Sequence, residues 1–200
     1  MHVRAAMSSW QEMHIRGMNM KRIAAAIGLT LPANMGRAIA VASTILASPA
    51  WAELRTVETG EGFAIRMPGQ PEAMRNTVQI SGGEVKTASW TAPTGDGAIY
   101  SVSYADYPEK IVVANTPDQF MNEGRDGLAN QLKGKIVSET AVTLGNHPGK
   151  AVAISSDAGE VKARFYWVGT RLYTLLVLYN AATGAPDADA FLGSIKLAAK

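Results

Sequence analysis

The sequence contains no cysteine. That excludes disulfide staples, thiolate metal sites, a cysteine nucleophile and a lipid-modified N-terminal cysteine, so the fold must be held by its core alone. Histidine is scarce as well: His2 and His14 lie near the start, and His147 stands alone in the remainder. One histidine and no cysteine cannot assemble the usual zinc ligand sets. No hydrophobic run is long enough to cross a bilayer, because the stretch Ala38 to Ala47 reaches only about half of the roughly 20 residues a span requires. No P-loop, nucleophile elbow or His-Glu-x-x-His motif occurs. Gly60-Glu61-Gly62 and Gly95-Asp96-Gly97 lie outside any strand-to-helix phosphate motif and read as turns.

What the N-terminal part does carry is the pattern of an export leader. Lys21, Arg22 and Arg37 form a positive region, and the apolar run after Arg37 ends at Ser48-Pro49. Ala50-Trp51-Ala52 then places small residues at the two positions a signal peptidase pocket accommodates. Cleavage after Ala52, ahead of Glu53, is expected; retention as an N-terminal anchor is the competing reading, and the charged Glu53 argues against it. The leader is long from Met1, and its first apolar patch, Ile23 to Leu31, is interrupted by Pro32 and Asn34, so Met20 and Met35 are alternative starts. Residues 1–52 are read as leader and 53–200 as a single globular domain of 148 residues, large enough to bury a core without staples. The expected location is periplasmic or secreted, with no membrane span after cleavage.

Charge follows the same division. Five of the 19 basic residues (Arg4, Arg16, Lys21, Arg22, Arg37) and one of the 17 acidic (Glu12) precede Glu53, leaving 14 basic and 16 acidic and a net charge of −2 in place of +2. The basic character belongs to the leader, and no positive face for nucleic acid or anionic lipid follows from it.

From Gly62 the apolar residues mostly alternate, as half-buried antiparallel strands require. A strand is expected over Phe63 to Met67, stopped by Pro68-Gly69. A hairpin is expected with arms around Thr77 to Ile80 and Glu84 to Trp90, joined through Gly82-Gly83. Another strand ends at Pro108. The period then changes: Thr116, Pro117 and Gln119 form a capping box with proline at the first helical position. Phe120, Gly124, Leu128 and Leu132 make one stripe of a helix, with Gly134 as its stop. Gly124 and Gly127 each cost such a helix about 1 kcal/mol relative to alanine, so close approach to the sheet is the expected gain.

Two strands are expected around a turn at Gly145-Asn146-His147-Pro148-Gly149, and a second hairpin turns at Gly169-Thr170. In that register Trp167 faces Leu172, Phe165 faces Thr174, Ala163 faces Leu176 and Val161 faces Leu178, an apolar face. The opposite face mixes Lys162, Arg164, Tyr166 and Val168 with Arg171, Tyr173, Leu175 and Val177. A last helix is expected from Pro186 with Asp187 and Asp189 in its first turn, running on to Leu197. The fold class is α+β.

The segments FAIRMPGQP, YSVSYADYP, VTLGNHPGKAV and RFYWVGTRLYTLLVLYNA, with a closing Asp-x-x-x-Phe-Leu-x-Ser-x-Lys-Leu from Asp187 to Leu197, resemble a family of small exported bacterial proteins. The resemblance spans most of residues 62–197, and its motifs specify a fold and name no reaction. That family in turn resembles the α-β-α sandwich shared by the PsbP subunit of photosystem II and a Ran-binding import factor. The resemblance implies an antiparallel sheet of about six strands with helices on both sides. No residue here matches a calcium, manganese or Ran site of those relatives, so function does not transfer.

His147 reads as a turn residue, with general base or metal ligand as its functional alternative. Asp187 and Asp189 are explained by the helix dipole, a carboxylate-only calcium or magnesium site being the alternative. Asp106, Glu109 and Glu123 read as solvated surface; as paired carboxylates they would have to converge. No catalytic residue, metal site or cofactor is assigned. The constellation that points to binding is Arg164, Tyr166, Arg171 and Tyr173, because cations and tyrosines alternating on neighbouring strands can grip an acidic peptide, a sugar or a carboxylate. The same residues serve equally as packing beneath a covering element. The expected function is a non-enzymatic accessory or binding domain for an unidentified protein or a small acidic ligand. The alternatives are a carboxylate- or divalent-ion-dependent enzyme and a structural subunit of an envelope complex.

Overall fold

A computed structural model describes residues 53–80 and 83–198. The proposed leader and its cleavage site at Ala50, Ala52 and Glu53 therefore lie outside the described residues, apart from Glu53 itself. The elements are β1 (Leu54–Glu58), β2 (Phe63–Pro68), β3 (Glu72–Ile80), β4 (Gly83–Pro93), β5 (Ile99–Asp106), α1 (Glu109–Val112), α2 (Pro117–Gln131), β6 (Lys135–Leu144), β7 (His147–Ser156), β8 (Gly159–Val168), β9 (Arg171–Tyr179), α3 (Ala188–Leu192) and β10 (Lys196–Leu197).

Seven strands form one antiparallel sheet in the order β3-β4-β5-β9-β8-β7-β6, and three form a smaller sheet, β1-β2-β10. The chain leaves the centre of the large sheet after β5, crosses through α1 and α2 to its far edge, and returns strand by strand until β9 pairs with β5. The Gly169-Thr170 hairpin takes the expected register, pairing Trp167 with Leu172, Phe165 with Thr174, Ala163 with Leu176 and Val161 with Leu178.

Helix α2 covers the apolar face of that hairpin. Thr116 Oγ1 accepts the Gln119 N–H at 3.3 Å and Gln119 Oε1 accepts the Thr116 N–H at 2.7 Å, closing the capping box. Phe120 and Leu128 are buried against Ile154, Phe165 and Trp167, with Phe120 stacked on the Trp167 indole at 4.2 Å. Burial of each contributes at most about 1.5–3 kcal/mol. Gly124 brings the helix close, since a Cβ there would stand 3.2 Å from Leu172 and Phe165, whereas Gly127 faces open space and gains no approach. The helix ends on Lys133 in the left-handed region (φ 51°), not on Gly134. Gly134 is needed for a different reason: a Cβ would stand 2.6 Å from Ile154 Cγ2 and 2.9 Å from the Ser155 carbonyl oxygen.

Four further expectations are corrected. The sheet has seven strands, not about six, and its second face is covered chiefly by the three-stranded sheet together with the five-residue α3, so the helices do not form two matching layers. The closing helix does not reach Leu197: it ends at Gly193, after which Ile195 is buried, Lys196 exposed and Leu197 half-buried, a period of two that pairs with β2. The turn between β6 and β7 is only Gly145-Asn146, because Leu144 pairs with His147, Thr143 with Pro148 and Val142 with Gly149. The β3–β4 hairpin runs longer than expected, Glu72 to Pro93. Gly83 belongs to β4, paired with Ile80, so the connection falls at 81–82, outside the described residues.

Candidate functional site

Cross-strand pairing places Tyr166, Tyr173 and Tyr104 side by side on β8, β9 and β5. All three are buried beneath the small sheet, and Phe63 of β2 meets Tyr173 edge-on at 5.3 Å, Tyr104 at 6.5 Å and Trp90 at 5.3 Å. Edge-to-face contacts of this kind add about 0.5–1.5 kcal/mol each beyond area burial. Arg171 and Arg164 flank this row. Arg171 pairs with Val168, four residues along β8 from Arg164, which sets the two positions about 13 Å apart on opposite sides of the tyrosines.

Arg171 is fully engaged. Its Nε and Nη2 donate to the two oxygens of Asp106 at 2.6 Å each, and Nη1 donates to the Glu61 carbonyl oxygen at 2.6 Å. The guanidinium lies over the Tyr104 ring, 3.8 Å from its centroid. Burial, the largest influence, works against its charge, but the hydrogen bonds to Asp106 and Tyr173 outweigh it and raise its pKa. Glu61 completes this end: its carboxylate accepts from Arg75 Nε at 2.9 Å and from the Tyr104 hydroxyl at 3.0 Å. Those donors, with Arg171 nearby, hold Glu61 below the usual carboxylate range. Burial first, then the bond to Glu61, pushes Tyr104 up to about 12.

Arg164 is different. Its Nη1 reaches the Tyr166 hydroxyl at 3.5 Å and the Leu192 carbonyl at 3.4 Å, both longer than a good hydrogen bond. It has no acidic partner within 4.0 Å among the described residues. Its row continues outward through Ala151 to Thr140 on β6, small side chains on the half of the sheet beyond α3. The residues expected to act together are thus split: Tyr166 and Tyr173 are buried neighbours, Arg171 is tied to Asp106, and Arg164 stays half-exposed with donors to spare.

Other candidates fall into place around this row. Asp106 is the Arg171 partner; Glu109 is exposed at the start of α1, and Glu123 is half-buried on α2, where burial and then Asp126 raise its pKa. No hydrogen bond joins these three acids. His147 opens β7 opposite Leu144. Asp189 pairs with Lys162 at 3.0 Å, and Asp187 makes no capping bond. No group of three or more metal-ligating side chains occurs among the described residues. Two shallow depressions are present, one of 420 Å³ between Lys162, Tyr179 and Ala185, the other of 310 Å³ between Gly60, Phe63 and Lys196. Sequence reasoning missed Glu61, Arg75 and Tyr104: Tyr104 and the Glu61 carbonyl meet Arg171, and Arg75 joins them through the Glu61 carboxylate, contacts that arise only once the strands are assembled.

No family model and no curated protein matches the chain. Among solved structures, the chain is similar to the cyanobacterial PsbP protein CyanoP of Synechocystis, at 11% identity over 78% of this chain and 98% of that one, with a TM-score of 0.49. It is also similar to a protein of unknown function from Pseudomonas aeruginosa, at 13% identity over 65% of this chain and 85% of that one, with a TM-score of 0.27.

Proposed function

We propose that this chain is an exported, non-enzymatic accessory or binding domain, acting in the periplasm or outside the cell, that takes an acidic ligand at Arg164 on the open half of its sheet. The observation that carries this is the contrast between the two arginines. Arg171 makes three hydrogen bonds of 2.6 Å, whereas Arg164 makes two of 3.4 and 3.5 Å, both through Nη1. A guanidinium has five N–H donors in a fork that matches a carboxylate, so Nε and Nη2 are available for a bidentate pair. Its cross-strand neighbours in the row, Ala151 and Thr140, carry small side chains. This reading includes kinship with the exported family whose motifs the sequence resembles and a PsbP-like arrangement enlarged to seven strands.

A ligand that prefers the folded state raises the melting temperature. A thermal-shift screen of the purified protein against di- and tricarboxylates, acidic sugars and acidic peptides is the direct test. The expected result is a shift from one of these classes that Arg164→Ala abolishes; no shift from any of them, or one that survives Arg164→Ala, overturns the reading. A structural subunit would present a contiguous apolar patch. Among the described residues the exposed large hydrophobics are Val113 after α1 and the Ile136-Val137 pair on edge strand β6.

A further inference from the structure

The other end of the tyrosine row carries a second site of its own. We propose that Arg75 and Tyr104 form a carboxylate-binding site occupied by this chain's own Glu61, with Arg171 holding the Glu61 backbone carbonyl, and that the Gly60-Glu61-Gly62 loop is a strap an acidic peptide displaces.

The geometry is that of a bound ligand. The Glu61 carboxylate accepts one charged donor, Arg75 Nε at 2.9 Å, and one neutral donor, the Tyr104 hydroxyl at 3.0 Å, while Arg171 Nη1 takes its backbone carbonyl at 2.6 Å. These partners are distant in sequence: Tyr104 lies 43 residues away and Arg171 110. The loop itself is closed at its base by Thr59, whose hydroxyl donates to the Phe63 carbonyl at 2.6 Å and accepts the Glu61 N–H at 3.2 Å. Its tip is held by the Glu61 contacts, and the Gly62 carbonyl accepts the Ala198 N–H at 2.9 Å on the side of the small sheet.

Gly60 and Gly62 bracket that tip in the left-handed region, at φ 73° and 82°, and a Cβ at either would meet nothing within 4 Å. Packing therefore does not demand glycine there; the backbone conformation does, and glycine populates both signs of φ, so these two positions can act as hinges of the loop. Beside the loop lies the 310 Å³ depression between Gly60, Gly62, Phe63 and Lys196, where a peptide backbone can run with a further cation within reach. An extended acidic peptide fits this combination of one carboxylate socket, an aromatic floor and a neighbouring lysine.

The test uses hexaglutamate as the probe, with calorimetric titration at low ionic strength because screening weakens surface charge. The expected result is binding to Glu61→Ala at least about tenfold tighter than to wild type, lost again when Arg75→Ala is added. Glu61→Gln, which keeps the acceptor but removes the charge, is expected to fall between them and serves if Glu61→Ala does not fold. Hexaglutamate binding no tighter to either variant than to wild type overturns the strap. So does tighter binding that survives Arg75→Ala. This site is separate from that at Arg164, so Arg164→Ala is expected to leave the gain intact; loss of the gain with Arg164→Ala would assign the peptide to the other end of the row and overturn the proposal.

Discussion

Gly149 and Tyr166 face each other across β7 and β8, and the tyrosine ring lies over the glycine. A Cβ at Gly149 would stand 2.7 Å from the Phe165 carbonyl oxygen and closer still to Cδ1 of Tyr166. The glycine is thus the seat on which the first ring of the tyrosine row rests. Gly149→Ala is expected to destabilise the protein by about 1–3 kcal/mol, the usual cost of overpacking. Urea denaturation would show a lower midpoint with an unchanged slope; an unchanged midpoint would mean that Tyr166 swings aside at no cost.

That position shows where sequence reading stops. Asn-His-Pro-Gly reads locally as a turn, yet Val142 already pairs with Gly149, because two residues suffice to reverse the chain at Gly145, whose φ is 58°. Local signals were legible where they are sufficient: the capping box at Thr116 and the register from Val161 to Leu178 depend only on neighbours along the chain or across one tight turn. The tyrosine row was not legible, because Tyr104 joins Tyr173 only once β9 has returned from the far edge to lie against β5. The constellation of Arg164, Tyr166, Arg171 and Tyr173 was identified on one hairpin, while the groups that distinguish its two arginines, Asp106 and Glu61, come from elsewhere.

Helix α2 offers a matched pair of glycines. Gly127 is exposed with space where a Cβ would go, so Gly127→Ala is expected to stabilise by about 0.5–1 kcal/mol, through helix propensity and a less flexible unfolded chain. Gly124→Ala gains the same propensity but presses on Leu172 and Phe165 at 3.2 Å, so it is expected to lie at least about 1 kcal/mol below Gly127→Ala. Equal midpoints for the two would remove the packing argument.

The Arg171–Asp106 pair joins β9 to β5 at adjacent positions, with the arginine side chain 20% exposed. Asp106→Ala removes both carboxylate bonds and leaves a half-buried cation, at an expected cost of about 2–3 kcal/mol. Removing both charges, in Asp106→Ala with Arg171→Met, is expected to recover part of that loss, because an unpaired buried charge costs more than none. A double-mutant cycle measures the coupling; additive single-variant losses would show that the two side chains act independently.

Carboxylates held below their ordinary values of 4.5 for Glu and 3.8 for Asp are expected to govern acid stability: Glu61 by Arg75 and Tyr104, Glu139 by Arg125 and Lys150, Asp118 by Lys150 and Asp96 by Thr94. Each is deprotonated more readily in the folded state than in the unfolded one. Their contribution is therefore fully present above the ordinary carboxylate range and is lost as pH falls through the depressed folded values. Glu123 has the opposite sign. Burial raises its pKa, so the folded state favours its neutral form, and its contribution is present below the ordinary value and lost as pH rises through the raised one. Urea titrations across about pH 3 to 7 should show stability falling toward the acid end, with a shallower fall in Glu139→Gln. Glu123→Gln should be more stable than wild type at neutral pH and converge with it in acid, where wild-type Glu123 is already uncharged. A gain that persists undiminished in acid would place the effect of Glu123 in packing and not in its charge.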